Sequence, residues 1–181
     1  MEPVEPSGQL VAVRTRGRRI AAVLAACGVV LVVLLVAFVA EPFRVPTGSM
    51  TPTVRPGDHV LVNKLAYRSG DPQRGDLMVF RSPADGETML KRVVGVGGDM
   101  VAIEDGVLHV NRRAVREPYV DHRTIDSVYF GPVTVPAGHV FVMGDRRADS
   151  RDSRDFGPVA RDEIVGRVDA RIWPLQDAGA L

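Results

Sequence analysis

The longest uncharged stretch of the chain covers residues 20–40 and reads IAAVLAACGVVLVVLLVAFVA. An α-helix rises about 1.5 Å per residue, so a helix of this length spans about 30 Å, the thickness of a bilayer's hydrocarbon core. Four arginines precede the stretch: Arg14, Arg16, Arg18 and Arg19. Because basic residues favour the cytoplasmic side of a membrane, the pattern predicts a short cytoplasmic N-terminus at residues 1–19, a single transmembrane helix at 20–40 and an extracytoplasmic domain at 41–181.

A cleaved secretory signal is the alternative interpretation of this stretch. The apolar region of such a signal usually has about 7 to 15 residues, fewer than are found here. Signal cleavage also favours small residues at positions −3 and −1, where this stretch offers Phe38 and Ala40. The length of the stretch and the bulk of Phe38 therefore favour an uncleaved anchor in the cell membrane, with the lipid bilayer as its partner.

The charge balance and the cysteine count disfavour or exclude several classes of protein. The chain has 23 Lys and Arg against 22 Asp and Glu, so bulk positive charge does not favour binding to nucleic acid. Its one cysteine, Cys27, can form neither an intramolecular disulfide nor a zinc cluster of cysteines. The sequence contains no HExxH, P-loop or GxGxxG motif. No metal ion or organic cofactor is therefore predicted.

Short runs rich in Val and Ile, separated by turn-forming residues, dominate residues 41–181. The runs cover residues 59–65, 76–80, 89–96, 100–103, 107–110, 133–135, 139–143 and 164–173. Two of them flank Asp105-Gly106, which predicts a hairpin. The polar segment Val115–Tyr129 is predicted to be a surface loop or ribbon. Because no apolar repeat of helical period continues over three turns beyond residue 40, the pattern predicts a mainly β fold, a coiled antiparallel sheet or barrel-like body.

Ser49 lies directly after the uncharged stretch, in the segment Pro46-Thr47-Gly48-Ser49-Met50-Thr51-Pro52-Thr53. Proline fixes its own φ and biases the preceding residue towards extended geometry, so Ser49 is predicted on a stiff extended segment. Gly48 would let a substrate approach closely. The alternative is an ordinary serine in a linker.

A serine nucleophile needs a base, and the chain offers histidine or lysine for that role. The four histidines have no recognisable motif around them, and each is most simply a strand or surface residue. Lysine serves as a base when burial lowers its pKa from about 10.4 towards about 7 to 8. Lys91 lies in the otherwise apolar run Met89–Val96, and strand alternation places its neighbour Arg92 on the opposite face, towards solvent. A lysine on the exposed face of an edge strand remains the alternative.

The segment Gly144–Gly157 contains four Asp, four Arg and two Ser. A solvated charged loop is one interpretation of this composition. The other is a network of opposite charges that holds the loop rigid between two anchored ends and leaves a hydroxyl to orient a neighbouring group.

Together these segments resemble the type I (leader) signal peptidases, which are membrane-anchored serine proteases with a Ser–Lys dyad. The resemblance covers most of residues 41–160 and rests on four motifs in order after the predicted anchor. The motifs are Pro46–Thr53, Gly75–Phe80, Lys91–Gly95 with Asp99, and Gly144–Gly157.

The resemblance implies that Ser49 is the nucleophile and Lys91 the general base. Thr47 stands where the family has a hydroxyl that helps the Ser49 N–H form the oxyanion hole. The implied activity is the removal of signal peptides from exported preproteins, after small residues at −3 and −1. The implied partners are these preproteins.

The resemblance also implies roles for the surrounding residues. Ser150 would hydrogen-bond and orient the lysine amine, with Asp152 and Arg154 supporting the loop. Met50 would form part of the apolar surface that receives the substrate.

The sequence departs from the family's usual pattern at Gly97, where Pro is frequent, and at Arg146 and Asp149, where Asn is common. Two other classes of protein remain open. A self-cleaving repressor with a Ser–Lys dyad would have a DNA-binding domain in place of the apolar stretch. A non-enzymatic anchored β-module would not require Ser49 and Lys91.

Overall fold

The computed structural model describes residues 22–31, 33, 38–68, 70–120 and 129–181. The chain divides into two units, residues 1–39 and 40–181. In the first unit, residues 22–31 are helical. Within the described residues, no helix has both the length and the apolar character needed to cross a membrane. The predicted transmembrane helix falls partly outside these residues, and its last residue, Ala40, belongs to the first strand.

The second unit is built from antiparallel strands. They are β1 (Ala40–Arg44), β2 (His59–Asn63), β3 (Leu77–Arg81), β4 (Thr88–Val96), β5 (Met100–Glu104), β6 (Val107–Val110), β7 (Arg113–Ala114), β8 (Phe130–Thr134), β9 (His139–Met143), β10 (Val159–Ala160), β11 (Ile164–Trp173) and β12 (Gly179–Ala180). A one-turn helix, Ser153–Phe156, lies between β9 and β10. The prediction of a mainly β, antiparallel fold is confirmed.

The strands form two sheets. The larger sheet has the order β1-β2-β11-β3-β4-β9-β10, with β12 pairing with β11, and it curls into a half-barrel. The smaller sheet has the order β7-β6-β5-β8. The predicted hairpin is confirmed as β5–β6, with Ile103 opposite Leu108.

Burial follows from the side-chain pattern of each strand. In β2 the alternating sequence HVLVN buries Val60 and Val62 and leaves the residues between them partly exposed. In β4 the continuous run from Leu90 to Gly95 is buried, because this strand lies between β3 and β9. Lys91, the candidate base, therefore lies buried in the interior of the larger sheet.

In the predicted surface loop Val115–Tyr129, Arg116 and Pro118 are exposed, but Glu117 and Val120 are only 4% and 7% exposed. The prediction is therefore wrong for these two residues, which pack into the interior. The physical reason is an ion pair, described below, that compensates the burial of the Glu117 carboxylate. Residues 121–128 lie outside the described residues.

Candidate active site

Ser49 lies in a series of turns, so the prediction of an extended segment is wrong. The Thr51 N–H donates to the Gly48 carbonyl at 3.0 Å, and the Val54 N–H donates to the Met50 carbonyl at 3.1 Å. Met50 and Val54 are both buried in the core beneath the larger sheet. Burial of these two side chains favours a compact turn over an extended strand, and it holds Ser49 at 7% exposure.

Two residues of the loop after β9 hold the backbone of Ser49. The Arg146 N–H donates to the Ser49 carbonyl at 3.0 Å. A Cβ atom placed on Gly144 would lie 2.7 Å from the same carbonyl oxygen, which is closer than real Cβ atoms approach. The absence of a side chain at Gly144 therefore permits this contact between the loop and the Ser49 backbone.

Lys91 is buried, and its amine faces Ser49. The residue is 4% exposed, and its Nζ donates a hydrogen bond to Ser49 Oγ at 2.7 Å. The alternative of an exposed lysine on an edge strand is therefore wrong. The turn at residues 47–54 and strand β4 bring the two side chains together across 42 positions of sequence.

The surroundings of Lys91 change its acid–base behaviour. Burial lowers the pKa of the Lys91 amine to about 8, and the negative charges of Asp152 and Asp145 partly offset the effect by favouring the ammonium form. A substantial fraction of the amine is therefore neutral near physiological pH.

Thr47 lies beside Ser49. Its Oγ1 is 3.3 Å from Ser49 Oγ, with either hydroxyl able to donate, and the Thr47 side chain is exposed. Within the described part of the chain, the Ser49 N–H donates no hydrogen bond. One hydroxyl and one backbone N–H are thus positioned close to Ser49 Oγ.

The loop after β9 is an ordered network, so the alternative of a solvated loop is wrong. Asp152 is fully buried; its carboxylate accepts hydrogen bonds from the Gly144 N–H at 3.0 Å and from Arg154 Nε at 2.9 Å, and it caps the helix Ser153–Phe156. Ser150 Oγ donates to Asp152 at 2.8 Å. In the described residues Ser150 makes no hydrogen bond to Lys91; it donates instead to Asp152, whose negative charge acts on the pKa of Lys91.

Arg92 does not reach solvent, contrary to the alternation argument. Its guanidinium donates two hydrogen bonds to the carboxylate of Asp145, at 2.9 and 2.7 Å, and a third to the Gly75 carbonyl at 2.9 Å. Burial acts to lower the pKa of Arg92, but Asp145 outweighs burial and raises it. Sequence reasoning missed this pair, although the apolar neighbours of Arg92 signalled a buried position.

A cleft of about 290 Å³ opens beside Ser49 and Lys91, and both residues line it. Thr47 and Met50 line the same cleft, together with the apolar residues Val45, Met89 and Leu90. A serine hydroxyl, a buried amine and an apolar surface therefore meet at one opening.

Comparisons with known proteins identify the family of the chain. The family model described as "Signal peptidase, peptidase S26" matches residues 17–173. A signal peptidase I from Bacillus caldolyticus is 39% identical over 173 residues, covering 89% of this chain and 93% of that protein. A signal peptidase I from Mycobacterium tuberculosis H37Rv is 36% identical over 210 residues, covering 84% of this chain and 71% of that protein.

Among solved structures, a signal peptidase I from Enterococcus faecalis V583 aligns with a TM-score of 0.49 and 31% identity, over 54% of this chain and 97% of that chain. The family match covers most of the sequence, and the similarity covers 93% of the Bacillus caldolyticus protein and 71% of the Mycobacterium tuberculosis protein. The resemblance found from the sequence motifs is confirmed. This chain belongs to the signal peptidase family, peptidase S26, and is a serine endopeptidase.

Proposed function

We propose that this signal peptidase cleaves exported preproteins with Ser49 as the nucleophile and Lys91 as the general base. The observation that carries the proposal is the 2.7 Å hydrogen bond between Lys91 Nζ and Ser49 Oγ, made by an amine whose burial lowers its pKa to about 8. Covalent catalysis requires a nucleophile within hydrogen-bond reach of a base, and the pKa of that base should lie near the pH at which the enzyme works.

The chemistry begins when Lys91 is neutral. The hydrogen bond then reverses, and the Ser49 hydroxyl donates to the lone pair of the amine. Ser49 Oγ attacks the scissile carbonyl while Lys91 takes the hydroxyl proton, and Lys91 then gives that proton to the leaving amine. In the second half of the reaction Lys91 takes a proton from water, which attacks the acyl-enzyme, and returns the proton to Ser49 Oγ.

The developing oxyanion needs hydrogen-bond donors that are already in place. The Ser49 N–H and the Thr47 hydroxyl are the two candidates, since both lie next to Ser49 Oγ. Donors that are fixed in advance stabilise the transition state without reorganisation at the moment of reaction.

Ser150, Asp152 and Arg154 act on Lys91 through their shared network. Arg154 and Ser150 both donate to Asp152, whose charge favours the ammonium form of Lys91. We assign them the role of stabilising the ammonium after it has taken the serine proton.

The substrate enters as an extended strand along the open edge of β4. Residues Thr88–Lys91 pair with β3, whereas β9 pairs only with the later part of β4, from Arg92 onwards. The first part of β4 therefore keeps one edge unpaired beside the cleft, where a preprotein strand can add. The apolar lining of Val45, Met50 and Leu90 suits small side chains at −1 and −3.

The proposed topology follows from the uncharged stretch in the sequence. Residues 1–19 lie in the cytoplasm, residues 20–40 cross the bilayer, and residues 41–181 form the extracytoplasmic catalytic domain. Signal peptides emerge on the same side of the membrane as this domain.

Cleavage of a preprotein by the purified full-length chain in detergent tests the proposal. The product's new N-terminus, identified by mass spectrometry, is expected directly after a small residue at the end of the signal peptide. Ser49→Ala is expected to abolish cleavage and Lys64→Ala, a lysine outside the cleft lining, to retain it. Cleavage by Ser49→Ala at the same position would overturn the assignment of the nucleophile.

A further inference from the structure

The loop after β9, residues 144–152, is here called the catalytic loop. A second buried ion pair joins this loop to the segment after β7. Arg147 and Glu117 pair at 2.5 Å, and their side chains are only 4% and 2% exposed. A buried carboxylate and guanidinium carry a large desolvation cost, so a buried pair is weak evidence of added stability. Instead, a pair of this kind fixes the relative position of its two side chains, because each buried charge has to stay beside the opposite charge.

Arg147 contacts three parts of the site's framework. Its Nη2 donates to Glu117, its Nε donates to the Gly144 carbonyl at 3.0 Å, and its own carbonyl accepts from Arg154 at 2.7 Å. Glu117 thereby fixes the guanidinium that holds the beginning of the catalytic loop.

Tyr119 connects Glu117 to the other buried pair. The Tyr119 hydroxyl donates to Glu117 at 3.1 Å, and the Arg92 guanidinium lies 3.9 Å from the centre of the Tyr119 ring. Arg92 in turn holds Asp145. Glu117 and Tyr119 therefore contact both arginines that hold the loop.

The loop held in this way determines the geometry of the Ser49–Lys91 pair. The Arg146 N–H holds the Ser49 carbonyl, and Gly144 packs against the same atom. Asp145 and Asp152, whose charges act on the pKa of Lys91, both belong to this loop. Neither Glu117 nor Arg147 lines the cleft beside Ser49.

We infer that Glu117 is a positioning residue for the reaction: acting through Arg147, it holds the catalytic loop against the backbone of Ser49 and fixes the carboxylates of Asp145 and Asp152 whose charges act on Lys91. The inference rests on the proposed dyad. Loss of the pair loosens the loop, and with it the backbone of Ser49 and the two carboxylates that act on Lys91. A misplacement of about 1 Å can cost about 100-fold in rate.

Steady-state cleavage by the full-length chain in detergent, measured across pH, tests the inference with two variants. Glu117→Gln removes the charge and keeps the shape; Arg147→Lys keeps the charge but offers one ammonium in place of a guanidinium that reaches both Glu117 and the Gly144 carbonyl. Each is expected to lower kcat by about 10- to 100-fold with KM within about twofold of the parent. The acidic limb of kcat/KM is expected to move to lower pH, because a loosened loop carries Asp145 and Asp152 away from Lys91, and the charges of these carboxylates raise the pKa of the amine.

Glu41→Gln is the matched control, since Glu41 forms an exposed ion pair with Lys64. It is expected to keep the parental kcat and pH profile. Ser49→Ala, measured alongside, tests the dyad separately. Cleavage by Ser49→Ala would contradict the dyad, whereas parental kinetics in the Glu117 and Arg147 variants would contradict only the role of Glu117. Folded Glu117→Gln and Arg147→Lys variants with the parental kcat and pH profile would overturn the inference.

Tyr119→Phe extends the test if either of the first two variants does not fold. It keeps the ring beside Arg92 and removes only the hydroxyl that donates to Glu117. A several-fold loss in kcat with the same shift of the acidic limb is expected. A parental profile in Tyr119→Phe would contradict the role of Glu117.

Discussion

At the scale of single residues, the decisive property is the basicity of Lys91. With an ordinary pKa of about 10.4, roughly one lysine in 2,500 is neutral at pH 7. Burial lowers the pKa of Lys91 to about 8, so that roughly one amine in ten is neutral at that pH. The change raises the population of the neutral amine roughly 200-fold, which is the form that the proposed role as general base requires.

Substitutions at Thr47 test the second donor of the oxyanion hole. Thr47→Val is nearly isosteric but has no hydroxyl, so kcat is expected to fall by about 10² to 10³ with KM nearly unchanged. Thr47→Ser keeps the donor and is expected to retain much of the activity. Steady-state kinetics on a signal-peptide substrate separate the two variants. A parental Thr47→Val together with an impaired Thr47→Ser would reduce Thr47 to a β-branched spacer.

At the scale of structural elements, the loop after β9 sets the position of the nucleophile. Gly144→Ala places a Cβ in collision with Ser150 Oγ, 2.5 Å from Ser150 Cβ and 2.7 Å from the Ser49 carbonyl oxygen, so the loop at Ser150 or the Ser49 turn must move. We expect kcat to fall by about 100-fold, the effect of a misplacement near 1 Å. Gly179→Ala is the control, because a Cβ there meets no atom within 4 Å. Equal activity in the two variants would show that the contact does not matter.

The buried pair between Arg92 and Asp145 is predicted to matter for stability. Asp145→Asn leaves the buried Arg92 guanidinium without a charged partner, so the free energy of unfolding is expected to fall by about 3 to 5 kcal/mol. Asp71→Asn removes the charge from an exposed pair with Arg161 and is expected to cost at most about 1 kcal/mol. Thermal or denaturant unfolding of both variants measures the difference. Similar losses of unfolding free energy in the two variants would mean that burial of an ion pair does not determine the cost of breaking it.

The elements were predictable from sequence to different degrees, for physical reasons. The Val- and Ile-rich runs that became β2 to β6, β8, β9 and β11 follow from alternation and turn chemistry, which are local properties. The two-residue strands β7, β10 and β12 depend on pairing with neighbours and have no local signal. Strand β1 was missed because AEPFR combines charge and proline in a run that only its pairing with β2 makes a strand.

The same contrast between local signals and long-range pairing determines which residues of the site can be predicted from the sequence. Ser49 and Lys91 were identifiable because each lies in a distinctive local motif. Arg92 was misplaced because its partner Asp145 is 53 positions away, and a strand pattern cannot reveal which charge will neutralise a buried arginine. Glu117 was missed for the same reason, since its partner Arg147 is 30 positions away. Pairing across the sheet therefore limits what one sequence can predict.

At the scale of the whole molecule, the proposed function depends on which side of the membrane carries residues 41–181. The arginines before residue 20 predict that the N-terminus stays in the cytoplasm. Protease added outside spheroplasts is expected to reach a C-terminal tag, or to release the catalytic domain as a folded fragment, and to leave an N-terminal tag protected. Protection of the C-terminal tag would place Ser49 on the wrong side for exported substrates.

The pH dependence of preprotein cleavage in the parent and in Lys91→Arg tests the central claim most directly. Because the neutral amine is the active form, kcat/KM of the parent is expected to rise with pH, tenfold per unit below the midpoint, and to level off above a pKa of about 8. Lys91→Arg is expected to be inactive throughout, since a guanidinium does not release its proton in this range. A folded Lys91→Arg enzyme with parental activity, or a parent whose kcat/KM shows no such rise, would contradict the Ser49–Lys91 dyad.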